Sequence, residues 1–233
     1  MQYKYWRNFR RKRNRIIFTS RWGLILSQAI EQPRIVKIRE NVLKKNDVLA
    51  RQLRKRFQEE KVYVVNIVSS PGSGKTTLLT EVLTRLSKNF KVAALVGDLA
   101  TENDAQRLQQ SGAKVHQITT GTVCHLEAQM IEDSIKHWNL LDIDFLFIEN
   151  VGNLVCPSSY DLGENVRVVL FSTTEGEDKP EKYPTIVNSA DIAIVTKMDL
   201  AEVVDFNKEA FYQAIYQSRP NMKVFEVSAK KNI

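Results

Sequence analysis

The stretch "SSPGSGKTT", Ser69–Thr77, stands directly behind the apolar run Val62–Val68. A buried strand that breaks into a glycine-rich turn and then a helix lets backbone N–H groups converge on phosphate oxygens. The general pattern for such a loop is G-x-x-x-x-G-K-[ST], and here it reads S-S-P-G-S-G-K-T from Ser69 to Thr76. Gly72 and Gly74 free the turn. Lys75 is placed to neutralise β- and γ-phosphates, and the Thr76 hydroxyl to ligate Mg²⁺. Ser73 and Thr77 complete the expected phosphate contacts. Serine replaces glycine at position 69, which is expected to serve the turn rather than the chemistry.

Outward from this loop, short apolar runs recur at 62–68, 92–97, 114–118, 144–149, 167–171, 191–196 and 223–227. Helical segments are expected between them at 75–89, 102–110, 125–138, 181–189 and 204–218. Continuous Val/Ile/Leu/Phe runs are the mark of strands buried on both faces, and parallel strands need crossover helices. The pattern predicts an α/β fold, a mostly parallel sheet with helices on both faces. Ahead of it, Ile38, Val42, Leu49, Leu53 and Phe57 follow helical spacing, predicting an amphipathic helix over 38–60 that packs on the main domain.

The chain has 233 residues, 43% hydrophobic and 26% charged, with a net charge of +7. Eight Lys/Arg and no acid fall in residues 1–30; without them 26 bases face 27 acids. The basic character belongs to a tail. Three segments are expected: that tail at 1–30, a helical stretch at 31–61, and a nucleotide-binding domain at 62–233. The tail reads as a disordered, solvated extension or an upstream translated stretch with no role, or as an arm for nucleic acid or anionic membrane. Arg21 interrupts the one candidate signal segment, and no run is long enough to span a membrane. Two cysteines without a signal sequence point to a reducing, cytoplasmic setting.

Further candidates stand at strand ends. Asp98 closes the second run and can orient water or hold the Mg²⁺ shell. Asp104 and Arg107 follow on the next helix, where a surface ion pair and a role at the site are both open. Glu149 ends the fourth run in "DFLFIENVG", suited to face Mg²⁺ through water, and the N–H of Gly152 can sense a γ-phosphate. In "IVTKMDL", Asp199 can accept two hydrogen bonds from guanine N1 and N2, which adenine cannot donate. The Lys197 stem would lie along the base. Thr196 stands where the usual N-K-x-D has Asn, so one loop-bracing amide is expected to be lost. Ser228, Ala229 and Lys230 match a short S-A-K loop on the base's other side. GTP, with GDP as product, is the expected ligand.

"TTGTVCHLEAQM" sets Cys124 and His125 side by side where a helix is expected to begin, a position that favours a thiolate. Cys156 follows Glu149 in "ENVGNLVCPSS". Buried structural cysteines and a metal site are both open on spacing alone. As ligands the three are one short of a tetrahedral shell, leaving the rest to water or a second chain.

With "SSPGSGKTTLL", "GDLATENDAQR", "CHLEAQM", "IENVGNLVCPSSYDLGE" and "GEDKPEKYP" in order, the chain from about Pro33 to Ile233 resembles the HypB family, GTPases of nickel insertion into [NiFe]-hydrogenase. The related urease GTPase family UreG has Cys-Pro-His where this chain has Cys-His-Leu. The resemblance implies a P-loop NTPase fold of the SIMIBI type and a GTP-dependent homodimer. It implies nickel or zinc on Cys124, His125 and Cys156 at the dimer interface, and nucleotide contacts on the loops above. Catalysis then falls to Lys75, Asp98 and Glu149, with Mg²⁺ at Thr76, Asp98 and Glu149. Implied partners are a HypA-type nickel accessory protein and the hydrogenase large subunit; neither specific nucleic acid nor membrane is expected. Some members carry an N-terminal cysteine cluster or histidine-rich stretch for tight nickel binding, and without one that activity is expected to be absent. Any closing helix after Lys230 is expected to be missing or supplied otherwise. Rival readings are urease maturation, a P-loop kinase, which Thr196–Asp199 argues against, and a tail-led nucleic-acid binder, which the near-neutral body argues against.

Overall fold

The computed structural model describes residues 34–98 and 103–231; the tail at 1–30 and its expected state lie outside them. Helix α1 (Arg34–Glu59) leads into strand β1 (Tyr63–Ser69). Then follow α2 (Lys75–Leu86), β2 (Val92–Asp98), α3 (Asn103–Gln109), β3 (Lys114–Thr119), α4 (Ala128–Ile135) and β4 (Phe145–Glu149). The second half holds β5 (Val166–Ser172), α5 (Lys179–Lys182), α6 (Pro184–Ser189), β6 (Ile192–Thr196), α7 (Lys208–Ser218) and β7 (Lys223–Glu226). All seven predicted strands are present. The segment predicted at 181–189 is two short helices, because Pro184 disfavours a helical Tyr183 and cannot donate from its nitrogen.

The strands form one sheet in the order β3-β2-β4-β1-β5-β6-β7, with every pairing parallel. Progress along the chain reverses direction across the sheet at β1, so the loop after β1 opens into the crevice where α/β sheets bind ligands. Register brings the strand ends together: Ile67 is level with Glu149, which is level with Val96 on its other side.

Strand alternation builds the two faces. Val64, Leu95, Leu146 and Ile148 pack with Phe57, Ile131 and Ile135. Their neighbours Val65, Ala94, Val96 and Phe147 pack with Leu79, Leu83 and Leu108. Beyond β1, Phe171, Val195, Ile186, Phe211 and Ile215 form a third cluster. Each fully buried Leu, Ile or Phe contributes about 1.5–3 kcal/mol. In α1 the predicted stripe is buried at Leu53 and Phe57, while Ile38 and Val42 are exposed. No helix among the described residues is long and apolar enough to cross a membrane.

Candidate nucleotide site and thiol–imidazole cluster

Gly72 and Gly74 hold φ of 73° and 95°, left-handed values that favour glycine. Gly74 is also the N-cap of α2, with no side-chain cap on the helix's first N–H groups. Those donors are the ones a phosphate accepts from. Lys75 is buried, and its Nζ donates to Ser69 Oγ at 2.9 Å. The Ser73 hydroxyl donates to the same oxygen, and the Ser69 hydroxyl in turn donates to the Ser70 carbonyl at 2.7 Å. The expectation for position 69 is therefore corrected: Ser69 does not merely fill a turn but supplies the side-chain acceptor for Lys75. Burial lowers the Lys75 pKa, opposed by Glu149, Asp104, Glu175 and Asp98.

Glu149 lies across the loop. Thr76 Oγ1 donates to its Oε1 at 2.7 Å, whereas its Oε2 is buried without a hydrogen-bond partner. Burial pushes Glu149 up to about 7; Lys75 and Thr76 pull it down, and Asp104 and Asp98 add to the rise. A buried carboxylate oxygen left open beside a hydroxyl, with two further acids near, is a hard-oxygen donor set that fits Mg²⁺. Asp98 ends β2, its carbonyl accepting from Thr120 N–H at 3.0 Å. Asp104 makes the surface ion pair with Arg107, at 3.9 Å, and still reaches Lys75 and Glu149 electrostatically. A Cβ added at Gly152 would stand 3.1 Å from Pro71, so the segment after β4 lies directly against the phosphate loop.

Beside the loop opens a cavity of about 300 Å³, lined among others by Gly74, Thr77, Thr196, Lys197, Asp199 and Ser228, with Ala229 and Lys230 at its wall. Ser228 Oγ donates to Asp199 Oδ1 at 2.6 Å and holds the Asp199 pKa below its ordinary value. Bracing at position 196 is not lost. The Thr196 hydroxyl meets the carbonyls of Ser73 at 2.6 Å and Phe171 at 3.2 Å, doing the work expected of an asparagine amide. Lys197, at a left-handed φ of 58°, turns its ammonium onto the Gly72 carbonyl at 2.8 Å. It ties the base loop to the phosphate loop.

The two cysteines and His125 come together at the same carboxyl edge of the sheet. Ligand atoms of Cys124, His125 and Cys156 all lie within 4.8 Å of one another. One helical detail differs from expectation: α4 starts at Ala128, with Glu127 as N-cap, so Cys124 sits in the preceding loop and receives no helix N-terminus. His125 has Nδ1 3.9 Å from Cys124 Sγ and Nε2 3.3 Å from Glu127 Oε1. Burial lowers the His125 pKa, with Glu127 opposing, which favours the neutral, metal-binding imidazole. The Tyr160 ring stacks on it with centroids 3.8 Å apart.

Several residues that fix this cluster went unread in the sequence. Asn46 of α1 accepts from Ala128 N–H and donates to the Asp161 carbonyl, both at 2.8 Å. Arg167 donates to the Tyr160 carbonyl at 2.6 Å, its charge paired with buried Glu164. Asn153 donates to the Cys124 carbonyl at 3.4 Å. Asn46 did leave a signal, a polar residue on an apolar stripe between Val42 and Leu49. The others are recognisable only by their partners.

The CobW/HypB/UreG nucleotide-binding domain model matches residues 63–226. The hydrogenase/urease maturation factor HypB of Helicobacter pylori is 47% identical over 199 residues, covering 84% of this chain and 81% of that protein. The crystal structure of HypB from Helicobacter pylori in complex with nickel superposes with a TM-score of 0.76 at 47% identity, over 80% of this chain and 87% of that one. The signal recognition particle receptor FtsY from Elizabethkingia anophelis in complex with GDP, at 16% identity and a TM-score of 0.51 over 82% and 70%, shares the fold alone. That likeness agrees with the expected SIMIBI-type P-loop fold. By the matched domain and the extent of identity, the chain belongs to the HypB branch of the CobW/HypB/UreG nucleotide-binding family.

Proposed function

We propose that this protein is a GTP-hydrolysing metallochaperone switch that delivers nickel during [NiFe]-hydrogenase maturation. The observation that carries the reading is the nearness of two sites: Cys156 lies on the segment that runs from Glu149 past Gly152 at the phosphate loop, and joins Cys124 and His125 within 4.8 Å. Guanine recognition falls to Asp199, Lys197 and the Ser228–Lys230 loop. When triphosphate enters, Lys75 exchanges the Ser69 hydroxyl for β- and γ-oxygens, and the N–H groups of residues 72–77 take the remainder. Thr76, with Glu149 and Asp98, would hold Mg²⁺, which would supply charge to neutralise the phosphate oxygens. Asp98 positions the attacking water, GTP and water give GDP and phosphate, and the Gly152 N–H loses the γ-phosphate it sensed.

The cargo is Ni²⁺, or Zn²⁺, on two thiolates and one imidazole. A second copy, brought up by GTP, completes the ligand shell at the interface. A HypA-type accessory protein and the hydrogenase large subunit are the proposed partners. A urease client is the second reading, because the Helicobacter pylori relative is named for both enzymes.

Nickel titration of wild type and Cys124→Ala, with GDP and with a non-hydrolysable GTP analogue, tests the switch. Expected are nickel binding lost in Cys124→Ala and a wild-type affinity that depends on the nucleotide. Equal affinity in both nucleotide states would sink it, since coupling between sites must be reciprocal.

A further inference from the structure

Asn150 follows Glu149 and is 1% exposed. Its main-chain N–H donates to the Ile67 carbonyl at 2.9 Å, fixing it to the end of β1. Its side-chain Oδ1 accepts two main-chain protons, from Leu126 at 3.2 Å and from Val151 at 3.0 Å. Its Nδ2 donates to Asn66 Oδ1 at 3.4 Å, which fixes the orientation of the amide. Leu126 is the residue after His125. Val151 precedes Gly152, the glycine against Pro71 of the phosphate loop.

One carboxamide oxygen thus ties the chain beside the imidazole to the chain beside the γ-phosphate position. Both lone pairs are in use, so a shift of residues 151–152 must alter the bond to Leu126 or carry Leu126 with it. Asn46 offers a contrast. It joins Ala128 to Asp161, bracing the cluster's two segments without touching a nucleotide residue.

We propose that Asn150 is the positioning residue through which the nucleotide-sensing segment Glu149–Gly152 sets the placement of His125. This rests on the switch reading above. Asn150 carries the difference between nucleotide states; Asn46 carries affinity common to both.

The test is Ni²⁺ titration of wild type, Asn150→Ala and Asn46→Ala, each with GDP and with a non-hydrolysable GTP analogue. Wild-type affinities should differ by the amount usual for coupled sites, about 5–150-fold. In Asn150→Ala the ratio should fall to within about twofold, with nickel still bound, whereas Asn46→Ala should weaken both states alike and keep the ratio. A wild-type ratio above one that survives in Asn150→Ala overturns this assignment and leaves the switch standing. A wild-type ratio of one overturns both. Should Asn150→Ala fail to fold, hydrogen–deuterium exchange on wild type decides. Exchange of the Leu126 amide should change with nucleotide, and an unchanged amide beside a nucleotide-dependent nickel affinity overturns the assignment.

Discussion

Leu126 packs its side chain onto the bare Cα of Gly97: a Cβ built there would stand 2.8 Å from Leu126 Cγ. Gly97 precedes Asp98, and Leu126 follows His125, so one contact locates the thiol–imidazole cluster against the end of β2. Gly97→Ala must displace a fully buried leucine. Overpacking of this kind costs about 1–3 kcal/mol, measurable by denaturant unfolding. Nickel affinity should fall with it, and Gly97→Ala/Leu126→Ala should recover part of the stability by making room.

Glu149 gives the metal-free protein a pH dependence. Its folded pKa of about 7 lies above the ordinary 4.5, so the folded state binds more protons between those values. Stability is then fully present below the lower value and falls as pH rises to the upper one, by about 3 kcal/mol in all. Unfolding in EDTA across this range should show the decline, and Glu149→Gln should flatten it. A parallel decline in Glu149→Gln would assign the titration to another group.

Ser69 partners Lys75 when no phosphate is present. Ser69→Ala leaves a buried ammonium short of an acceptor, at a cost of about 1–3 kcal/mol. The nucleotide-free protein should lose more stability than the bound one. The rise in Tm on adding GTP analogue should therefore be larger in the variant than in wild type.

Glu127 fixes which imidazole nitrogen is offered. With Nε2 facing the carboxylate, Nδ1 is the atom turned toward Cys124. Glu127→Ala should weaken nickel binding about 10–100-fold, the usual effect of removing an orienting carboxylate. Glu127→Gln keeps an acceptor and should lose less. Ring-nitrogen NMR shifts of His125 should report protonation at Nε2 in wild type and a mixture of tautomers in Glu127→Ala.

Thr196→Ala removes the hydroxyl that meets the Ser73 and Phe171 carbonyls and should cost about 1–3 kcal/mol, with weaker GTP binding. Thr196→Asn should retain most of the binding, because its amide can donate to the same carbonyls.

The sheet was legible because each interior strand is a short, largely buried apolar run; the edge strands β3 and β7 are mostly exposed yet still fall on the segments expected. The loop at Ser69–Thr77 was legible because its chemistry is local: glycines that must turn and a lysine at fixed spacing. Helix starts were read less well. The structure begins α4 three residues after the predicted 125, and α7 at Lys208 rather than 204, where Asn207 accepts from the Ala210 N–H. Apolar spacing does not tell a helix's first turn from the loop leading into it.

The order of residues alone determined the strand–loop–helix plan and the glycine-rich turn with its lysine, since each depends on neighbours within a few positions; that Cys156 joins Cys124 and His125 was decided by the fold. The folded chain decided what no spacing encodes. Asn46, Asn150, Glu164 and Arg167 are ordinary polar residues until folding packs distant segments against the sheet and its loops. There, buried polar groups must find partners from distant segments or bear the full cost of leaving water. That requirement joins the Cys124–His125 loop to the turn after β4.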